Sequence, residues 1–125
     1  MSTYDMDSIL LSCKKMIGGL DEEDTSFDPD LILLINSEFA TLGQIGIGNM
    51  FAPYKIEDKT AKWSDLEYKN LEFIKEYMFL RVKLTFDPPS SGTVMDAYRR
   101  KADELTWRIQ VGAEEYDERE HSSGE

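Results

Sequence analysis

The chain has 125 residues, 41% of them hydrophobic, and a formal net charge of −11. This length suits one domain with one core, and no apolar stretch approaches the ~20 residues that a membrane span needs. The polar start, Met1 to Asp5, is not expected to act as a secretory signal, and the single cysteine, Cys13, excludes an internal disulfide and fits a reducing compartment.

The charge is unevenly placed. Residues 1–54 carry Lys14 and Lys15 against nine acidic residues, and residues 109–125 carry Arg119 against six. The middle is nearly balanced. A nucleic-acid grip would show a basic stripe, but the only basic run is Arg99-Arg100-Lys101, with Asp103 and Glu104 close behind. Strong direct DNA binding is therefore not expected. The excess acid serves solubility at the least.

A first helix is predicted over about Asp5 to Ile17, with Ile9, Leu10, Cys13, Met16, Ile17 and Leu20 on one face. Gly18-Gly19 supplies its stop. Cys13 reads as a small buried hydrophobe, because no base or electropositive partner is in view to activate a thiol. Asp21, Glu22, Glu23 and Asp24, followed by Thr25 and Ser26, read as a solvated acidic loop. The calcium-loop pattern fails there, since Ser26 stands where glycine is needed and Ile32 where the closing Glu is needed.

A second helix should open with Asp28 as N-cap and Pro29 at the first helical position. Phe27 is placed to staple onto Ile32. Ile32, Ile35, Phe39, Leu42 and Ile45 line a face, and Gly43, Gly46 and Gly48 close the helix. These glycines do not form the dinucleotide fingerprint.

Residues 47–62 break helical periodicity and exceed the ~2–8 residues usual between packed helices. This irregular loop carries Ile47, Met50, Phe51, Tyr54 and Ile56, so it either folds back on the core or serves a partner. Short extended pairing is compatible with it.

A third helix is predicted from Ser64 to Phe86, opened by a capping box of Ser64 and Glu67, with Trp63 stapled onto Tyr68. At ~1.5 Å per residue it would be ~33 Å long, more than twice the ~14 Å radius of gyration of a compact domain this size. Leu71, Ile74, Met78 and Val82 form its core stripe. Tyr77, Phe79, Leu80, Leu84 and Phe86 widen it, which means deep burial or contact with a partner. Asp87-Pro88-Pro89 forces a corner.

A fourth helix then runs to about Ala113, with Val94, Tyr98, Ala102, Leu105, Ile109 and Gly112 on one face and Trp107 off it. Glu104 and Arg108 are spaced as a favourable i,i+4 pair. The two helices form a long C-terminal αα-hairpin. The acidic segment 114–125, nearly free of large apolar residues, is expected to be a flexible tail on a single 1–113 domain.

No catalytic, metal or cofactor site is legible. The one histidine, His121, lies in the acidic segment. No Cys/His ligand set or nucleophile constellation can be assembled around it. The fold class is therefore all-α, a small bundle of about four helices without enzymatic machinery.

A set of short stretches narrows the reading further. They are Phe27-Asp28-Pro29-Asp30-Leu31-Ile32 through Ile35-Asn36, and Leu42-Gly43-Gln44-Ile45-Gly46-Ile47-Gly48. Thr60-Ala61-Lys62-Trp63-Ser64-Asp65 follows, then Tyr77-Met78-Phe79-Leu80-Arg81-Val82-Lys83-Leu84 with Phe86-Asp87-Pro88-Pro89, and last Glu104-Leu105-Thr106-Trp107-Arg108. In order and spacing this set resembles the small helical head–tail connector proteins of long-tailed bacteriophages and prophages, also called adaptor, head-completion or DNA-packaging proteins.

The resemblance implies a helical bundle that assembles as a homo-oligomeric ring beneath the portal after DNA packaging. Such a ring extends the DNA channel, passes DNA without sequence-specific binding, and docks the next stopper or tail-completion protein. It belongs to the virion and to the host cytoplasm during assembly, with no membrane, cofactor or catalytic residue. Partner or subunit contacts are expected from Met50, Phe51, Tyr54, Ile56, Leu80, Leu84, Phe86, Trp107 and Tyr116. Acid facing a channel or forming a tail is expected from Asp21, Glu22, Glu23, Asp24, Glu114, Glu115, Asp117 and Glu118. The charge also admits another class, a small acidic inhibitor or DNA mimic on a basic partner. The near-neutral middle weighs against it.

Overall fold

The computed structural model describes residues 5–48, 51–68 and 70–123, with side chains described as far as Gly112. Among the described residues it is all-α. The helices are α1 (Ile9–Ile17), α2 (Asp28–Gln44), α3 (Leu71–Phe86) and α4 (Gly92–Ser123), with a short 3₁₀ turn at Trp63–Asp65.

α1 starts later than its apolar pattern suggests, because Ser8 caps it. The Ser8 hydroxyl accepts from the Leu11 N–H at 3.2 Å and donates to the Lys59 carbonyl at 2.7 Å. Ile9, Leu10, Cys13 and Ile17 are buried as expected, whereas Met16 is 50% exposed. Gly18 and Gly19 both take positive φ at the stop, where a Cβ would strain the backbone.

α2 opens differently from the sequence expectation. Phe27 holds the cap position without a side-chain bond, and Asp28 is the first helical residue. The Phe27 ring meets Phe86 edge-on at 5.5 Å rather than serving as a local staple on Ile32. The fully buried stripe is Leu31, Ile35, Phe39 and Leu42, while Ile32 and Ile45 pack at its edge.

The largest correction concerns α3. Helix does not begin at Ser64, because that residue's donors go elsewhere. Asp7 accepts from the Ser64 N–H at 3.1 Å and from its hydroxyl at 2.7 Å. Trp63 is wholly buried in the core, not stapled onto Tyr68. Its indole N–H donates to the Ser12 hydroxyl at 2.9 Å, and its ring meets Phe79 edge-on at 5.9 Å. A contact between distant segments thus overrides the local capping signal, and residues 66–68 are non-helical before α3 begins at Leu71. With 16 residues, α3 is roughly 24 Å long.

Among its described residues, the connection 47–62 folds back on the core through Ile47, Tyr54, Ile56 and Ala61. Asn36 clasps Ile56 on both sides, its carbonyl accepting from the Ile56 N–H at 2.8 Å and its amide donating to the Ile56 carbonyl at 3.0 Å. Further along, Ser8 and Lys62 form one antiparallel bridge, framed by Ile9 N–H to the Ala61 carbonyl and Trp63 N–H to the Asp7 carbonyl. This is the short extended pairing that the sequence allowed.

α3 packs against the three other helices, which explains its wide apolar surface. Ile74, Tyr77, Met78 and Val82 are buried, and Phe73, Phe79, Leu80 and Phe86 pack against the core from its edges. α4 runs back along α3 after the corner at 87–91. Ala102, Leu105 and Ile109 are its buried stripe. Val94, expected on that stripe, is 41% exposed. Arg108 lies over the Phe73 ring at 5.7 Å, and a Cβ on Gly112 would fall 1.9 Å from the Asn70 amide nitrogen. Gly112 therefore permits the close approach of α4 to the start of α3.

With 32 residues, α4 is roughly 48 Å long, twice α3. Its backbone continues through the acidic segment to Ser123, past the expected end near Ala113. No glycine or proline falls between Ala113 and Ser123 to stop it.

Candidate docking surfaces

The residues expected to meet partners fall into four groups. Ile56 lies in the core at 2% exposure. Tyr54, Leu80, Leu84 and Phe86 are half-buried, Tyr54 resting edge-on against Phe39 at 5.1 Å. Phe51 and Trp107 are exposed, at 88% and 64%. Met50 lies outside the described residues, as does the side chain of Tyr116.

The apolar surplus on α3 is thus largely taken up within the monomer. Sequence reasoning missed Leu33, which is 70% exposed on α2. Its position between Ile32 and Leu34 hid it inside an apolar run. The spacing of Leu31, Ile35, Phe39 and Leu42 places it on the opposite side of the helix.

The acidic loop is more than a solvated strand of charge. Asp21, Glu23 and Asp24 are exposed and Glu22 is half-buried, yet the loop's backbone turns inward onto Lys14. This lysine is 1% exposed. Its ammonium donates to the Glu22 carbonyl at 3.1 Å and the Asp24 carbonyl at 2.7 Å, and pairs with the Asp28 carboxylate at 3.1 Å. One buried cation therefore ties α1, the loop and the start of α2 together. The Asp24 side chain accepts from the Ser26 N–H, which holds its carboxyl below the usual range. The periodicity that marked α1 gave no hint that Lys14 is buried.

Lys83 ties the other end. It donates to the Ile17 carbonyl at 2.9 Å, satisfying an orphan acceptor at the end of α1, and pairs with Asp87 at 3.1 Å. Tyr77 donates to Glu38 at 3.1 Å, and Arg81 pairs with the same carboxylate at 3.6 Å. Burial first, and then the Glu38 charge, pushes the Tyr77 phenol up to about 12. Burial alone pushes the Cys13 thiol up to about 12, so it is not a poised nucleophile. The backbones of Glu114, Glu115, Asp117 and Glu118 lie on α4, and their side chains are outside the description.

Among the described residues, no group of three His, Cys, Asp or Glu side chains is placed to hold a metal ion. No described helix is long and apolar enough to cross a membrane.

Among the described residues, the chain is a small all-α bundle with an αα-hairpin and with Phe51 and Trp107 exposed. A family profile described as phage connector protein matches residues 9–116. The chain belongs to this phage connector protein family, which agrees with the resemblance carried by its motifs. No curated protein and no solved structure is significantly similar to the chain.

Proposed function

We propose that the chain is a structural head–tail connector, or adaptor, which forms a ring below the portal once DNA is packaged. It extends the DNA channel and offers a surface to the next stopper or tail-completion protein. The observation that carries this reading is the family match over residues 9–116, which covers α1 to α3 and α4 as far as residue 116. The charge supports it. A ring of copies that each carry a net charge of −11 repels phosphate, so DNA slides past instead of sticking. Its role is passive and has no turnover. Many weak subunit contacts add up when a ring docks on a symmetric partner.

The test is to measure the mass of the purified chain over a concentration range, with and without portal, and to image large species by negative stain. Rings of one diameter, free or on the portal, are expected. A chain that stays monomeric and does not bind the portal would overturn the reading. A DNA-mimic role has weaker support, since the acid is split between the two ends of the sequence.

A further inference from the structure

α2 carries an unusual face. The solvent side of a helix normally bears charge, and 31% of this chain is charged. Yet from Leu31 to Tyr54 the only charged residue is Glu38. Glu38 is turned inward, 12% exposed, onto Tyr77 and Arg81. Leu33, Ser37, Ala40 and Gln44 share the outward side at helical spacing, with Thr41 beside them, and none is charged. Asp30 marks the end of this strip one turn before Leu33. Leu33 stands 70% exposed in its middle.

We propose that this uncharged side of α2 seats a second copy of the chain, which docks through the outward side of its own α4 with Trp107 as anchor. The inference rests on the connector reading and supplies its subunit contact. Three observations argue for this occupant. Copies with a net charge of −11 repel one another, so they approach at least cost where charge is sparse.

A closed ring also needs two different patches that meet head to tail, because a patch that meets itself gives only a dimer. Trp107 supplies the second patch. It is 64% exposed, the most exposed large apolar side chain off this stretch among the described residues, and tryptophan is the usual anchor of interfaces. Finally, the flanking charge on α4 is balanced. Residues 92–112 carry four basic and three acidic residues, and Arg108 and Glu104 neutralise each other at 2.9 Å. Docking there does not set acid against acid.

The test is cross-linking of the full chain. Cys13 is buried and inert, so Ser37→Cys with Asp103→Cys adds the only reactive thiols and leaves Leu33 and Trp107 in place. A short bis-maleimide should convert the double variant into a ladder of dimers, trimers and higher species, while each single variant stays monomeric on a denaturing gel. Leu33→Lys or Trp107→Ala, added to the double variant, should abolish the ladder and leave helical content unchanged. Covalent dimers of the Ser37→Cys variant alone would overturn the head-to-tail pairing. Absence of a ladder at concentrations where the parent chain is oligomeric would overturn the choice of surfaces. A chain that is monomeric at every concentration and yields no ladder would overturn self-docking through α2. In each case, binding of the unmodified chain to portal decides the connector reading separately.

Discussion

Replacing Lys14 by methionine tests whether a buried cation organises the front of this fold. The ammonium sits at 1% exposure with two carbonyl acceptors at 3.1 and 2.7 Å and one carboxylate at 3.1 Å. Hydrogen bonds from a charged donor contribute about 1.5–3 kcal/mol each, so the two carbonyl bonds together contribute about 3–6 kcal/mol. Methionine avoids the desolvation of the ammonium, which offsets part of that sum. It also strands the Glu22 and Asp24 carbonyls and leaves the half-buried Asp28 carboxylate without its cation. A net loss of about 2–4 kcal/mol follows. Urea unfolding followed by circular dichroism should show a lower midpoint at unchanged slope. Asp28→Asn should cost less, because the two carbonyls still hold the ammonium. A Lys14→Met variant within about 0.5 kcal/mol of the parent, the range of ordinary surface substitutions, would refute the clasp.

Asn36→Ala should destabilise by about 2 kcal/mol, since it releases both the N–H and the C=O of Ile56; hydrogen exchange at Ile56 should speed up in step. Stability should also fall in alkali. Tyr77 and Cys13 stay protonated in the fold to about 12, above their ordinary values of 10.0 and 9.0. The unfolded chain therefore ionises first, and stability present below about pH 9 is lost as pH rises towards 12. Tyr77→Phe should flatten part of that decline in a pH series of unfolding midpoints. In acid the sign reverses. Hydrogen bonds from Ser64 hold the Asp7 carboxyl below 3.8, so its contribution is present above that pH and fades below it. Asp7→Asn should remove that part of the acid dependence. Deleting residues 114–125 should leave the packed helices folded, because the buried stripe Ala102, Leu105 and Ile109 of α4 lies before the cut, and should weaken attachment to phage heads. Full head completion by the truncated chain would remove the segment from the docking account.

Much of this structure is legible in the sequence wherever an element is held by its own periodicity. The stripes Ile74, Met78, Val82 and Ala102, Leu105, Ile109 follow helical spacing and are buried. The Asp87-Pro88-Pro89 corner turns the chain where two prolines require it. The Glu104–Arg108 pair forms as its spacing predicts. What was not legible depends on contacts between distant segments. Ser64 had every local mark of an N-cap, but Asp7 took its donors across 57 positions of sequence. Lys14 lay in a helix whose pattern describes only apolar residues, so the carbonyls waiting for it could not be foreseen. Leu33 was not singled out because it sits inside the apolar run 31–35. The apolar breadth of α3 suggested a partner, yet most of it meets α1, α2 and α4. The proposed docking surfaces therefore lie on the outward sides of α2 and α4, where Leu33 and the already expected Trp107 are exposed.

The central claim is tested most directly on DNA-filled phage heads that carry a portal but lack their connector. Purified chain added to such heads should bind at the portal vertex in a fixed number of copies per head, retain the DNA, and restore the capacity to accept tails. Heads that neither bind the chain nor gain tails would contradict the assignment of this protein as the connector.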